Sequence, residues 1–439
     1  MKIAIIGSGI SGLSCAWMLS QRRPELAITV FEANATLGGH TATLDIEKDG
    51  RSYAIDTGFI VYNQKTYPGF IALLNQLGIK GQPTEMSFSV HNPDNKLEYN
   101  GHSLNSLFAQ RRNLFKPRFW FFLREILRFN NLCKQRLHHP NNDEDTLADL
   151  LDQNGFSSFF ALHYVLPMGA AIWSSSLDDM ADFPLSMFLQ FFENHGLLDV
   201  SNRPQWMVVP GGSREYIRRM QEKLPATVQL LTSTPVLSVT RSQESVTLSS
   251  ARGIETFDQV IFACHSDQAL ALIHSPTDNE REVLGGLPYQ SNEVILHTDI
   301  SQLPVTQRAW ASWNYRLPAN IGLGRENLMV PGGAKPAHSQ DRACVTYNMN
   351  ILQGIKSEHT FCVSLNPITP IDESKILFKT QYTHPVINLS SHKFQQLRGW
   401  INGHNRSWFC GAYWQNGFHE DGVKSAADVV EKLLATEQV

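Results

Sequence analysis

Apolar residues fill positions 3–6 (IAII), glycines stand at 7, 9 and 12 in the run GSGISG, and apolar residues return at helical spacing over 13–19. This order predicts a strand, a tight turn and a helix. The three glycines serve different ends. Gly7 makes the turn, Gly9 lets backbone approach a pyrophosphate, and Gly12 lets the helix pack on the strand. Ile10 and Ser11 open that helix, whose free N–H groups and positive dipole end suit a phosphate. A second apolar run, 27–31 (AITVF), predicts a strand that ends in Glu32, followed by Ala33. Glu32 stands 20 residues after Gly12, where an acid accepts from the ribose hydroxyls of a dinucleotide.

Further along, residues 67–77 have helical spacing and stop at Gly78, and 88–99 alternates around a turn at 92–95 like a hairpin. A long helical stretch is predicted over 103–139, a polar break over 140–145 and a short helix over 146–155. Aromatic-rich helical material follows over 156–198, interrupted at 167–169 and 173–176. His195, inside that block, reads as a satisfied core or surface residue. Residues 206–220 return to strand, Pro-Gly-Gly turn and helix. Strands are then predicted over 228–231, 235–240, 245–249 and 258–263, and, in a later block, over 294–298, 309–315, 343–349 and 376–382. Trp310, Trp313, Tyr315, Tyr347 and Asn348 alternate on two of these strands; each one singly reads as core, and only together do they suit the wall of an apolar cavity. The chain closes with a strand-and-turn at 408–414 and an amphipathic helix within 417–434. Strands and helices interleaved in this way predict an α/β fold with a Rossmann-type sheet.

Composition narrows the class. With 439 residues, a net charge of −4 and 18% charged residues, the chain offers no bulk attraction to nucleic acid. The six cysteines contain no C-x-x-C pair, which argues against a disulfide framework or a zinc site and fits a reducing cytoplasm. No apolar run reaches the length of a membrane span. The apolar N-terminus is occupied by the glycine turn, so it does not read as a signal peptide.

GSGISG, Glu32, LGGHTAT at 37–43, Asp56-Thr57-Gly58 and GFHEDG at 417–422 together resemble the flavin amine oxidase superfamily. That superfamily includes monoamine and polyamine oxidases, protoporphyrinogen oxidase and phytoene desaturases, and the GFHEDG version resembles a bacterial branch of it. The resemblance implies a Rossmann-type FAD-binding domain from 1–66, 202–268 and 390–439. An α+β substrate domain would be interleaved from 67–201 and 269–389. It implies non-covalent FAD, no metal, and cofactor contacts from Gly38, Gly39, His40, Thr41, Gly58, Phe59, Gly411, Gly417, Phe418, His419 and Val423. Val236 would meet the adenine through its backbone. His40 stands where relatives carry arginine, and Asp421-Gly422 replaces a usual Gly-Ala. His419, Trp414 and Asn348 are the catalytic candidates, while Glu420 and Asp421 also fit as helix N-terminal carboxylates.

Hydride transfer from an apolar, fatty acyl or other lipid substrate is the reading taken for function, as desaturase, oxidase or isomerase. A flavin amine oxidase acting on a small amine, and a nucleotide-binding protein with structural FAD, are the alternatives. The stretch 113–133 mixes Phe, Trp and Leu with Lys and Arg. Such a helix either lies on an anionic membrane, lines a substrate entrance, or packs its aromatics inward while its arginines snorkel outward.

Overall fold

Five parallel strands form the sheet that places the glycine turn. Their order is Val228–Leu231, Ala27–Phe31, Lys2–Ile6, Gln259–Phe262 and Ser407–Phe409. The computed structural model describes residues 1–138, 145–199, 203–321 and 342–436. Side chains alternate across a strand, so the first strand serves two cores. Ile3 and Ile5 pack with Cys15, Leu19, Val429 and Val430 of the helices Ile10–Arg22 and His419–Thr436. Ala4 and Ile6 face the other side, where Val239, Leu248 and Phe257 belong to an antiparallel sheet of Val236–Arg241, Val246–Ser250 and Gly253–Phe257. Coverage of both faces is what a parallel sheet requires. Strand order reverses at Lys2–Ile6, and the crevice at the carboxyl ends of such a reversal is where ligands bind in open α/β sheets.

A second, seven-stranded sheet runs Ile376–Pro385, Tyr289–His297, Cys362–Leu365, Val345–Asn348, Trp313–Arg316, Phe88–Asn92, Leu97–Asn100. Its pairs are antiparallel except Trp313–Arg316 with Phe88–Asn92. Helices between 117 and 194 pack against it through Phe122, Phe129, Phe160, Phe188 and Phe192, with Tyr315 contributed by the sheet. A hairpin, Thr43–Lys48 with Arg51–Asp56, and a small sheet of Val61–Asn63, Trp206–Val208 and Gln82–Thr84 complete the strands described.

The structure redraws several expected boundaries. The stretch 103–139 is not one helix: Leu104–Leu107 and a 3₁₀ turn over Arg111–Phe115 precede the helix Pro117–Leu137, which begins where proline is best tolerated. Pro167, by contrast, does not interrupt. The chain winds as a π-helix over Ala161–Val165, and Pro167 falls in the first turn of the α-helix Leu166–Trp173. The wider turn absorbs the missing N–H and the ring clash. Ala309 ends a 3₁₀ turn and the strand starts only at Trp313, while Met349 opens a short helix. Most of the expected break at 140–145, and the expected domain boundary at 201–202, lie outside the described residues.

Among the described residues no helix is long and apolar enough to cross a membrane. The six cysteines are free thiols, and Cys15 and Cys410 bring their Sγ atoms to 3.7 Å in the buried core.

Candidate active site

The glycine turn forms a crevice walled by backbone. Gly7 adopts φ +103°, and a Cβ there would stand 2.8 Å from the Ala263 carbonyl oxygen. A Cβ on Gly12 would meet the Gly7 oxygen at 2.0 Å, so only glycine lets this helix start against the turn. Gly9 differs: a Cβ there meets nothing within 4 Å. Gly39, with φ +58°, faces it across the crevice, its Cβ position 3.3 Å from the Gly9 Cα. The helix behind has no side-chain cap and no acid in its first turn, which leaves its N–H groups for a ligand. Ser8 ties the parts together, its hydroxyl donating to Glu32 Oε2 at 2.6 Å and accepting from Gly38 N at 3.1 Å. Glu32 is buried, and its other oxygen accepts from the backbone and side-chain nitrogens of Asn34. Ala33 is exposed beside it. Thr234 N donates to Glu32 O, which carries the following strand past the acid so that Val236 packs near Phe31.

At the other end of the crevice the last helix meets the first. A Cβ on Gly422 would lie 2.7 Å from Ile10 Cγ2 and 2.9 Å from Ser11 Oγ, so two helix N-termini converge there. Val423 packs with Ile10 and Phe70. Neither acid of this turn is unengaged. Asp421 Oδ2 accepts from Phe418 N at 2.9 Å, and Glu420 accepts from Gly69 N at 3.0 Å and Phe70 N at 2.9 Å, capping the helix Pro68–Leu77. Burial raises the pKa of both, that of Asp421 to about 6.

His419 is enclosed. Its Nε2 lies 3.0 Å from Thr41 Oγ1 and 3.2 Å from the Tyr216 hydroxyl, and its ring stacks on Phe59. Burial, and then the neighbouring His40, hold it well below the usual histidine range, so it is neutral. Gly58 permits this crossing, because a Cβ there would meet the His40 carbonyl oxygen at 1.9 Å, and Phe59 N donates to that oxygen. Trp414 is buried beside Tyr413, with the Arg398 guanidinium 5.5 Å from its ring centre. Gly411 N donates to Ser425 Oγ, and Gly417 adopts φ +92° before Phe418, whose ring stacks on Phe191 at 4.9 Å.

The family model for flavin containing amine oxidoreductases matches residues 10–301. The chain belongs to this family. It is a flavin oxidoreductase, and solved structures share its fold over almost their full length. The CLA-producing fatty acid isomerase from P. acnes is 13% identical, with a TM-score of 0.66 over 98% of both chains. Cyclohexylamine oxidase from Brevibacterium oxydans IH-35A is 16% identical, with a TM-score of 0.66 over 99% of both. A putative protoporphyrinogen oxidase from Exiguobacterium sp. 255-15 is 16% identical, with a TM-score of 0.66 over 98% of both. Among curated sequences, coproporphyrinogen III oxidase of Staphylococcus aureus is 45% identical over 57 residues, a match covering 13% of this chain and 11% of that protein.

The crevice of this flavin oxidoreductase fits the cofactor its family implies. Gly9 and Gly39 leave backbone-lined space, two helix N-termini converge, and the buried Nε2 of His40, the residue after Gly39, has no hydrogen-bond partner. Gly9, Gly38 and Gly39 would take the phosphates and Glu32 the ribose, with the turn at Gly417–Val423 closing the opposite end.

Several site residues were not singled out by the sequence. His265, Tyr382 and His384 surround His40 with ring centres 5.0–5.9 Å away. Burial and these imidazoles push His40 down to about 3. Asp56 accepts from Thr43 Oγ1, Ser213 N, Ser213 Oγ and Gln353 Nε2, joining the hairpin to the Pro-Gly-Gly turn, and burial raises it to about 6. The Asp-Thr-Gly motif was its signal. The aromatic residues on the two strands have these contacts. Trp313 and Tyr347 meet edge to face at 5.0 Å, Tyr315 lies in the core, and Trp310 donates to Pro304 O. Asn348 Oδ1 accepts from Ile351 N as the cap of Met349–Leu352. His195 is buried, stacked on Phe191 and bonded through Nδ1 to Phe191 O, and burial lowers it to about 4.

Proposed function

We propose that the protein holds FAD non-covalently and acts by hydride transfer on an apolar, lipid-like molecule as a desaturase, oxidase or double-bond isomerase. Segments 1–66, 202–268 and 390–439 would hold the cofactor, and 67–201 with 269–389 the substrate. Bound flavin would supply the two-electron acceptor. The chain's own residues orient and enclose it: Glu32 and Ser8 fix one end, and the neutral His419 holds the segment through Thr41 against Tyr216. The observation that carries the substrate class is the engagement of Glu420 and Asp421 by backbone N–H groups. A buried ammonium needs a carboxylate partner, and neither acid of the turn is left to provide one. Phe59, Phe70, Phe191 and Phe418 surround that turn instead.

The test begins with the absorption spectrum of the purified protein and release of the chromophore by acid. Oxidised protein is then mixed anaerobically with unsaturated fatty acids and phospholipids, or with primary amines and polyamines, while flavin bleaching is followed. Bleaching by lipids, or turnover of a lipid double bond without net bleaching, supports the reading. Rapid bleaching by amines alone overturns it, and a colourless protein that cannot be reconstituted removes the flavin itself.

A further inference from the structure

The solvent-facing side of the helix Pro117–Leu137 and of the turn before it is apolar and basic at once. Phe115 is 86% exposed, Trp120 51%, Phe121 54% and Leu127 52%. The opposite face, with Phe119, Phe122, Phe129 and Cys133, already fills the core. The outer aromatics therefore exceed what packing of this helix uses, and the inward-packing reading accounts for only one of its two faces. Trp120, Phe121, Arg124, Leu127 and Arg128 recur at the spacing of a single helical face.

The charges around these side chains have one sign. Arg111, Arg112, Lys116, Arg118, Arg124 and Arg128 are exposed, and among the described residues no carboxylate pairs with them. Arg118 and Arg128 lie over the rings of Phe159 and Phe156. The one acid between 111 and 137, Glu125, is buried and accepts from Ser157 N and Oγ. A cationic patch of this kind on a chain of net charge −4 is a local feature rather than a bulk property.

We propose that this face docks on a membrane surface rich in anionic phospholipid, with Phe115, Trp120, Phe121 and Leu127 entering the boundary between headgroups and acyl chains and the cations meeting phosphates. Interfacial helices combine these two features. Trp120 suits that depth, its indole N–H donating to Leu114 O while its ring stays apolar. A second copy of the chain is the weaker occupant, because it would set the same six cations against themselves. The proposal does not rest on the substrate reading.

Sedimentation with vesicles of phosphatidylcholine, with or without phosphatidylglycerol, tests it. The wild type is expected to pellet with the anionic vesicles, to release as salt is raised, and to ignore neutral ones. Arg112→Glu/Lys116→Glu/Arg124→Glu should weaken binding by about fivefold or more per site. Phe115→Ser/Phe121→Ser should shorten the residence on vesicles. Both variants change exposed side chains, so an unchanged melting temperature confirms that they fold. Failure of the wild type to bind anionic vesicles overturns the proposal, as does equal binding by both variants. A dimer in solution that Phe115→Ser/Phe121→Ser dissociates assigns the face to self-association and overturns it too.

Discussion

The imidazole of His419 lies flat on the phenyl ring of Phe59, with ring centres 3.4 Å apart and planes 11° from parallel. Together with Thr41 and Tyr216 it joins four segments that are distant in sequence. His419→Ala would remove the stack and leave two buried hydroxyls short of a partner. A loss of about 2–4 kcal/mol is expected in urea unfolding. A loss near zero would mean that the stack does not hold the segments together.

Gly9 and Gly12 make opposite predictions although they lie three residues apart. Gly9→Ala meets nothing within 4 Å, whereas Gly12→Ala places its methyl 2.0 Å from Gly7 O. Gly9→Ala is expected to keep the melting temperature of the wild type but bind flavin more weakly. Gly12→Ala should lower both stability and flavin content. Flavin retention measured by absorbance beside a melting curve separates the two, and full flavin in Gly9→Ala would place the phosphates elsewhere.

Glu32→Lys replaces an acceptor of four hydrogen bonds with a cation at the buried end of the second strand. Loss of two charge-assisted bonds to a ribose, at roughly 1.5–3 kcal/mol each, would reduce flavin affinity more than a hundredfold. The bound fraction after gel filtration reads it. Undiminished cofactor in the variant would remove Glu32 from the site.

Glu420→Ala uncaps the helix Pro68–Leu77, and a loss of about 1–2 kcal/mol in stability is expected. An acid held for a substrate ammonium would behave differently. Its removal would leave stability intact and raise the substrate's apparent KM.

Acid should destabilise the protein beginning near pH 6.5. His163, His195, His297 and His384 are lowered to about 4, mainly by burial, so their folded pKa values lie below the unfolded one. The stability each contributes is complete above pH 6.5 and is lost as pH falls through about 4, up to about 3 kcal/mol for a ring as buried as His297. Asp56 and Asp421, raised to about 6, act in the opposite sense over the same window, but they are fewer. His297 accepts from Asp299 N and bonds Ser364, contacts that glutamine can reproduce. His297→Gln should therefore flatten part of the decline, measured as urea midpoints from pH 7.5 to 4. An unchanged slope would assign the loss to other groups.

The parts of the site legible in the sequence are those set by local backbone. Gly7, Gly9, Gly12 and Glu32 occupy their positions because a strand, a turn and a helix fix one another within a few residues, and Gly78 stops its helix at φ +76° for the same reason. What needed the structure is contact between distant segments. Nothing near Glu420 in sequence shows that its carboxylate caps a helix opening at Pro68, and nothing around His40 points to His265 and His384. Asn348 lay between the two cases. Asparagine ahead of a helix is a cap signal, but strand alternation continued through it and hid the short helix that follows. Pro167 misled because proline spacing alone does not reveal the π-turn before it.

Cys15 and Cys410 touch across 395 residues of chain. A ribosome adding 5–20 residues per second needs about 20–80 s to make the second after the first. Throughout that interval the helix Ile10–Arg22 lacks the partner that covers it and the turn that closes its crevice. The nascent chain therefore carries an open half-site, which can close only after the helix His419–Thr436 has been made.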